Sequence, residues 1–358
     1  MSQFFKVAKP GWSSLPPEIL EEISVRVRNF SDHVRFRSVC SSWRSAARPR
    51  RLPPRAPFLI MAPYELSNGS GDLFCVSSQK LHHVDIPSAV SKQCNGSSRG
   101  WLFLRHNTSS LSLLNPFTRA EIQLPTLHNI AFISKAVLSS DPSLDPESMA
   151  LLVLQYNTLA FCRVGGDQWT ITHDLEWSLQ RIEDIMFYKG NIYVVRQNGR
   201  LAYCDLSHST TLSVIPYIRI LQGQKFYFVE SCGGLYLVTR HMLFDGFPFR
   251  ARTVGFGVFR IELGDRWKLF PVDDMKDCVL FVGPNQSICL ATKDLNGFDG
   301  NCIYFVEDYA VDGYVCDIEP KICKYRLDED NIEELQHDVN RFFFGSPESQ
   351  WIIPSVTV

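Results

Sequence analysis

The side chains of this chain that could do acid–base or nucleophilic chemistry do not stand at the spacings which that chemistry uses. A nucleophilic site needs a serine, a histidine and a carboxylate held together, and phosphate loops and zinc helices have their own fixed patterns. None of these patterns occurs in the sequence. The glycine pairs Gly165-Gly166 and Gly233-Gly234 separate strand-like runs, so we interpret them as turns. We therefore predict no catalytic residue and no cofactor.

Two short segments carry the side-chain types that bind metals. His82 and His83 stand beside Asp85, but no further ligand follows at a useful spacing, which favours an exposed strand end. Oxygen-bearing side chains also gather in a glycine-containing segment and resemble a calcium loop, but the glutamate that would close such a loop is missing. These side chains are Asp294, Asn296, Asp299 and Asn301. A polar turn is the favoured interpretation, and we predict no metal site.

The amino-acid composition limits which classes of protein and which classes of binding partner are compatible with this chain. The 358 residues include 36 basic and 38 acidic side chains, so no net field draws the whole chain to nucleic acid or to anionic membrane. No run of 18 apolar residues occurs, and the start lacks a basic flank followed by an apolar run. Eleven cysteines are scattered without a Cys-x-x-Cys pair, as expected of reduced thiols. We expect an intracellular protein, in the nucleus or the cytoplasm or both.

Helical periodicity is confined to the first fifty residues. Pro16 and Pro17 fall in a first helical turn, and the apolar residues that follow recur at helical spacing. A break and cap near residues 29–32 predict a second short helix, and a third runs through Trp43 to Ala47. Three such helices bury too little surface to be stable alone, so they need a partner.

The N-terminal helices closely resemble the F-box. That motif has a Leu-Pro, an acidic residue with two aliphatics, and then Arg, Val-Cys and Trp-Arg at fixed offsets. The matching residues here are Leu15, Pro16, Glu18, Ile19, Leu20, Arg37, Val39, Cys40, Trp43 and Arg44. The chain departs from the pattern at His33 and Val34, where leucines are more usual.

The resemblance implies that these helices insert into a Skp-family adaptor, which holds a cullin scaffold. The predicted adaptor-binding residues are Leu15, Pro16, Ile19, Leu20, Ile23, Val39, Cys40 and Trp43. The alternative is that the helices only cap the following domain and that Trp43 is ordinary core. We predict an F-box over residues 1–50, with its core at 12–48, and then a Pro/Arg-rich linker at 51–57 that is either a solvated spacer or a basic nuclear signal.

Residues 58–358 have the sequence pattern of an all-β domain. Short β-branched and aromatic runs are broken by Gly, Asn, Asp and Pro, and similar runs recur about every 40–50 residues. Two copies are complete, and they begin at Ile185 and at Lys225. This period predicts four-stranded blades in a β-propeller of six or seven blades, closed by a strand within the terminal segment 341–354. A β-sandwich with a second β domain is the alternative, but it leaves the recurring Gly-x-Ile/Leu-Tyr strand starts unexplained.

The order of motifs along the whole chain resembles a plant family of F-box proteins with a C-terminal β-propeller-like domain of unknown function. The motifs are Leu113 to Arg119, Tyr188-Lys189-Gly190, Cys204-Asp205-Leu206, Asp294-Leu295, Gly300 to Phe305, and a Trp-x-x-Pro ending. The resemblance implies the substrate-recognition subunit of an SCF-type E3 ubiquitin ligase. Such a subunit is not an enzyme, since it positions a target for ubiquitin transfer on another subunit.

The protein target would bind where loops converge on one face of the ring. The segment from Met242 to Thr253 is the candidate, because aromatics and arginine are enriched in binding hot spots. Its predicted target-binding residues are Phe244, Phe247, Phe249, Arg250 and Arg252. A loop packed on its own blade is the equally weighted alternative. Two rival functions stay open, namely an F-box scaffold without ligase output and a β-propeller enzyme.

Overall fold

The protein is seen here in a computed structural model that divides into two compact units, Met1–Arg55 and Ala56–Val356. The structure describes residues 11–27, 36–37, 39–47, 57–61, 69–128, 130, 132–155, 158–172, 181–206, 213–219, 225–245, 250–264, 267–295, 297–307, 321–335 and 350–354. Among these residues no helix is long and apolar enough to cross a membrane.

The N-terminal unit contains two described α-helices, α1 (Pro17–Arg26) and α2 (Ser41–Ala46), with a 3-10 turn at Trp12–Ser14. Helix α1 begins where predicted, because a proline in the first turn loses no hydrogen bond. Of the predicted second helix, the structure describes only residues 36, 37 and 39. The third predicted helix corresponds to α2.

A small apolar core joins these helices. Its buried members are Leu20, Phe36, Ala46 and Ala47. The side chains packed at its edge are Leu15, Ile23, Val27 and Trp43. Within the described part of this unit the apolar core is therefore small.

The second unit is a β-propeller of six blades, which confirms the predicted fold class and fixes the blade number at six. The strands of the first three blades are β1 (Phe58–Met61), β2 (Ser70–Cys75), β3 (Lys80–Asp85), β4 (Gln93–Ser98), β5 (Trp101–Arg105), β6 (Leu111–Leu114), β7 (Glu121–Gln123), β8 (Ile133–Leu138), β9 (Met149–Leu154), β10 (Leu159–Arg163) and β11 (Thr170–Thr172). The remaining strands are β12 (Ile182–Tyr188), β13 (Asn191–Arg196), β14 (Arg200–Asp205), β15 (Ser213–Arg219), β16 (Lys225–Ser231), β17 (Gly234–Asp245), β18 (Arg250–Glu262), β19 (Lys268–Pro271), β20 (Cys278–Phe281), β21 (Ile288–Ala291), β22 (Cys302–Glu307), β23 (Lys321–Arg326), β24 (Asn331–Glu334) and β25 (Gln350–Ile352).

Blades 2 to 5 each take four consecutive strands as an antiparallel meander, from β4–β7 to β16–β19. The innermost strands of neighbouring blades contact one another and form the wall of the ring. Apolar side chains on both faces of each blade fill the spaces between blades, which is why the central strands are buried throughout. In blade 4 the hairpin turn Lys189-Gly190 has positive φ at both residues (49° and 82°), the geometry that a two-residue turn matched to strand twist requires.

The ring is closed by the C-terminal strand, as predicted. Strand β25 pairs antiparallel with β1, so that Leu59 lies opposite Trp351, and the first blade has the order β25-β1-β2-β3. Trp351 is buried, its Nε1 donates a hydrogen bond to the carbonyl of Val282 at 2.9 Å, and its ring stacks edge-on against Phe281 at 5.3 Å. The closing strand therefore joins the first blade to the last. The predicted segment also included residues 341–349, which lie outside the described residues.

Blade 6 departs from the predicted four-stranded meander. It has five strands in the order β21-β20-β22-β23-β24, and β20 pairs with β22 in parallel. A parallel pair requires a crossover, and residues 292–301 provide it. Leu295 and Phe298 bury their side chains in this crossover, which is why the segment predicted as a polar turn is ordered by packing.

The loop between β20 and β21, residues 282–287, crosses the centre of the ring, and we call it the central loop. Asn285 Oδ1 accepts a hydrogen bond from the Ala136 N–H of blade 3 at 3.3 Å, and Gln286 Oε1 accepts one from Ser98 Oγ of blade 2 at 2.9 Å. At Gly96 an added Cβ would lie 2.8 Å from Asn285 Oδ1, so a glycine is needed for the loop to approach this closely. The central loop thus ties blade 6 to the opposite side of the ring.

Candidate protein-binding surfaces

The N-terminal unit exposes large apolar side chains that its own core does not cover. Trp12 is 74% exposed, Ile19 is 49% exposed and Val39 is 52% exposed, and Pro16 is also exposed. Val25 is a fourth large apolar side chain exposed on this unit, at 43%, and so much exposed apolar surface on a small unit is typical of a protein-binding surface. We call Trp12, Pro16, Ile19 and Val39 the N-terminal patch.

Helix geometry explains why adjacent aliphatic residues of α1 have different roles. Leu20 and Ser24 are one turn apart on the face that packs against α2, and Ser24 Oγ lies 3.4 Å from the carbonyl of Ala46. Ile19 is 100° away around the helix, at the edge of that face, and Ile23 lies between the two directions and is half-buried. The sequence Ile-Leu therefore places one side chain in the core and the other in solvent.

Trp43 contributes to the unit's own packing as well as to its surface. Its ring centroid lies 4.5 Å from that of Phe36, and its Nε1 donates a hydrogen bond to the Trp12 carbonyl at 3.0 Å. This bond holds Trp12 beside the helices, and sequence reasoning missed Trp12. The sequence did offer a signal, because Trp12 is a large aromatic residue that stands three positions before Leu15 in an otherwise polar segment.

The two motif arginines hold the chain around α2. Arg37 Nη1 donates to the carbonyl of Ala47 at 3.1 Å, just after the helix ends, and Arg44 Nε donates to the Arg37 carbonyl at 3.3 Å. Burial lowers the pKa of Arg37, and the charge of Arg44 lowers it further, since the two cations lie close together. A cation at a helix C-terminus is favourable, so these arginines stabilise the unit.

The predicted adaptor-binding residues thus fall into three groups by exposure. Pro16, Ile19 and Val39 are exposed, and Leu20 is fully buried and supports the surface only from beneath. The half-buried members are Leu15, Ile23, Cys40 and Trp43.

The predicted target-binding segment is a strand hairpin rather than the expected loop. Residues up to Asp245 belong to β17 and residues from Arg250 belong to β18, with Phe244 opposite Ala251 and Asp245 opposite Arg250. Arg252 is exposed. Phe247 and Phe249 lie outside the described residues.

A buried polar network lies at the base of this hairpin. Arg240 and Glu307 form an ion pair at 3.3 Å, and Glu307 Oε1 accepts hydrogen bonds from the N–H and Oγ1 of Thr253 at 2.8 and 3.0 Å. Arg240 also donates to Thr253 Oγ1 at 2.8 Å and lies over the ring of Phe305 at 4.9 Å. The hairpin of blade 5 is thereby fixed to blade 6.

A second buried ion pair lies at the wall of the ring. Lys135 of blade 3 contacts Asp184 of blade 4 at 2.5 Å, and the Asp184 carboxylate accepts hydrogen bonds from the N–H of Ile185 at 2.7 Å and of Phe228, in blade 5, at 2.6 Å. Burial raises the pKa of Asp184, while the Lys135 charge and these hydrogen bonds oppose the rise. Together with the central loop, the pair fills the middle of the ring with protein.

The segments considered for metals are engaged in other contacts. His83 Nδ1 lies 3.0 Å from Asp72 Oδ1, Asp299 pairs with Lys324 at 2.8 Å, and Asn301 Oδ1 accepts from the Met275 N–H at 2.8 Å. Within the described part of the chain, no group of three or more His, Cys, Asp or Glu side chains is placed to hold a metal ion.

Two family models match the chain. Residues 73–336 match the KIB1-4 beta-propeller model, and residues 12–54 match the F-box domain model. The propeller model covers most of the unit Ala56–Val356. The F-box model covers the helices that carry the N-terminal patch.

Similar curated proteins come from Arabidopsis thaliana. F-box protein At2g17036 is 25% identical over 331 residues, covering 79% of this chain and 80% of that protein. F-box protein SKIP23 is 26% identical over 352 residues, covering 82% of this chain and 83% of that protein. F-box/kelch-repeat protein At1g57790 is 25% identical over 356 residues, covering 96% of this chain and 94% of that protein.

Proposed function

This chain belongs to the KIB1-4 β-propeller family and carries an F-box domain, and on that premise we propose that it is the substrate-recognition subunit of an SCF-type E3 ubiquitin ligase. The observation that carries the proposal is the N-terminal patch, an apolar surface on the part of the chain that matches the F-box model. F-box domains generally bind Skp1-family adaptors. The adaptor would hold a cullin, and the propeller would hold the protein target.

The adaptor contact rests on exposed apolar side chains around a small core. Trp12, Ile19 and Val39 would lose water on binding, and Trp12 is the most exposed of the three. A few residues carry most of the binding energy in a protein interface. Leu20 and Trp43 hold the helices in the geometry that presents them.

The reaction that this subunit promotes is ubiquitin transfer to a target lysine, and the subunit contributes position. Binding the target beside a ubiquitin-charged enzyme raises the effective concentration of the lysine near the thioester. No residue of this chain has to touch the reacting atoms. The chain is therefore proposed as a non-catalytic receptor.

The proposed location is the nucleus or the cytoplasm or both. None of the ten cysteines that the structure describes forms a disulfide, as expected in a reducing compartment. Burial raises the pKa of Cys162 and Cys323 to about 12, which keeps both thiols protonated and unreactive.

Reconstitution of the ligase tests the proposal. The full chain is combined with adaptor, cullin, RING subunit, ubiquitin and its activating and conjugating enzymes, and autoubiquitination is followed on gels. We expect modification of the wild-type chain, and its loss when Ile19→Asp and Val39→Asp are combined, because the adaptor contact is removed. Adaptor binding without any autoubiquitination would instead support a scaffold without ligase output and would overturn the receptor proposal.

A further inference from the structure

The hairpin of β17 and β18 extends past the other strands of its blade. Strand β16 pairs with β17 only as far as Arg240, and β19 pairs with β18 only over Phe259–Glu262. Beyond those points, residues 242–245 pair with residues 250–253, and we call residues 241–245 and 250–254 the arm. The arm is at the end of the blade away from the Ser231–Gly234 turn.

The arm is held at its base, so its position is defined. Thr253 is bound to Glu307 of blade 6, and Met242, opposite Thr253, is buried. The register shifts between His241 and Met242, which makes Val254 the extra residue of a β-bulge. A bulge bends its strand and re-aims side chains, and it lies where the arm leaves the blade.

One face of the arm is turned to solvent and combines apolar surface with positive charge. Leu243 and Arg252 lie directly opposite each other across the two strands, Leu243 is 47% exposed and Arg252 is also exposed. Val254 adds a further exposed aliphatic side chain. Residues 241–254 contain two arginines and one aspartate, so the charge of the segment is positive.

Protein side chains from several blades meet in the part of the ring centre that the structure describes. The central loop and the Lys135–Asp184 pair occupy it, and the side chains of Asn285 and Asp184 are buried there. The arm is anchored at its base, extends past the other strands of its blade and exposes both apolar and cationic side chains.

We propose that the exposed face of the arm is the docking site for an extended acidic–apolar segment of the target protein. This inference rests on the proposed receptor function and adds to it the place and chemistry of target recognition. An aliphatic side chain of the target would cover Leu243 and Val254, and a neighbouring carboxylate would pair with the guanidinium of Arg252. An arginine guanidinium forms two parallel hydrogen bonds with a carboxylate, which gives such a contact both charge and geometry.

A defined peptide tests the proposal without knowledge of the target. The probe is a fluorescein-labelled peptide of alternating leucine and glutamate, with two companions in which glutamine replaces glutamate or serine replaces leucine. Anisotropy is measured with the full chain in complex with the adaptor. We expect the acidic–apolar peptide to bind at least about tenfold more tightly than either companion, since each lacks one of the two contacts.

Variants of the arm are compared with matched changes elsewhere on the propeller. Leu243→Ser and Arg252→Glu should each weaken binding about tenfold. Ile171→Ser, at a similarly exposed aliphatic residue of β11, and Arg163→Glu, at an exposed arginine of β10, should leave it unchanged. Failure of the wild type to bind the peptide, or equal binding by the arm variants, would overturn the proposal.

Two further readouts separate the possible causes of failure. Adaptor binding is measured separately for the wild type and for every variant. Absence of adaptor binding by the wild type would count against the receptor function, whereas the peptide affinities of the wild type and the arm variants would still test the arm. Labelled oligothymidylate is tested in parallel. Tight oligonucleotide binding that depends on Arg252 and not on Leu243 would contradict peptide docking, because it would assign the arm to nucleic acid.

Discussion

Asp184→Ala is expected to lower the free energy of unfolding of the propeller by about 3–5 kcal/mol, because it leaves a buried cation without its partner. Lys135 stays in the ring wall without the carboxylate that contacts it directly, and the N–H of Phe228 loses its acceptor. Blades 3, 4 and 5 lose a group that contacts all three. Urea denaturation followed by circular dichroism measures the change.

Two further variants test whether the loss of stability comes from the buried ion pair. Lys135→Met combined with Asp184→Leu should recover most of the loss, because no charge is then left buried. Asp299→Ala removes an exposed carboxylate that pairs with Lys324, so it should cost no more than about 1 kcal/mol. If Asp184→Ala and Asp299→Ala unfold at the same urea concentration, the buried pair does not stabilise the ring as described.

Trp351→Ala is the second change with a large expected effect, about 3–5 kcal/mol of stability. The substitution leaves a cavity beside Phe281, removes the hydrogen bond to Val282 and weakens the three-residue strand that closes the ring. The midpoint of urea unfolding should fall accordingly.

Phe132→Ala is the matched control for this change, because Phe132 is an aromatic residue of the same unit that is partly exposed. We expect it to change the stability by about 0.5 kcal/mol or less. An unchanged unfolding midpoint in Trp351→Ala would mean that closure by β25 contributes nothing to the stability of the ring.

The propeller could be predicted because each blade repeats a local pattern. The two complete copies found in the sequence correspond to blades 4 and 5, strand by strand, from β12 to β19. Alternation and turn residues are short-range signals, so they predict strands within a blade well. The motif from Leu113 to Arg119 is also a local feature. Asn115 Oδ1 accepts hydrogen bonds from the N–H groups of Phe117 and Thr118, and these bonds shape a turn.

The features that cross the ring could not be predicted in the same way. Lys135 and Asp184 are 49 positions apart, and nothing in either local sequence indicates the other. The parallel pairing of β20 with β22 joins strands that are not consecutive, and the central loop makes contacts with blades 1, 2 and 3. Long-range pairing of this kind leaves no periodic signal in the chain.

The proposed adaptor surface was inferred from a motif, but the motif alone does not tell which side chains face outward. Ile19 and Leu20 are neighbours in the motif, and only the packing of α1 against α2 separates the exposed one from the buried one. Trp43 is half-buried and packs on Phe36, so its truncation would mix loss of folding with loss of binding. The exposed residues Ile19 and Val39 give a cleaner test.

The central claim is that the N-terminal patch binds a Skp-family adaptor, and a direct affinity measurement tests it. Purified adaptor is titrated against the wild-type chain, against Ile19→Asp combined with Val39→Asp, and against Val25→Asp, with folding checked by circular dichroism. Val25 is 43% exposed and lies on another side of α1, so it is a matched control. We predict that the wild type and Val25→Asp bind alike, and that the double variant folds but loses about 2 kcal/mol or more of binding free energy. Unchanged adaptor affinity in the folded double variant, or no adaptor binding by the wild type, would contradict the assignment.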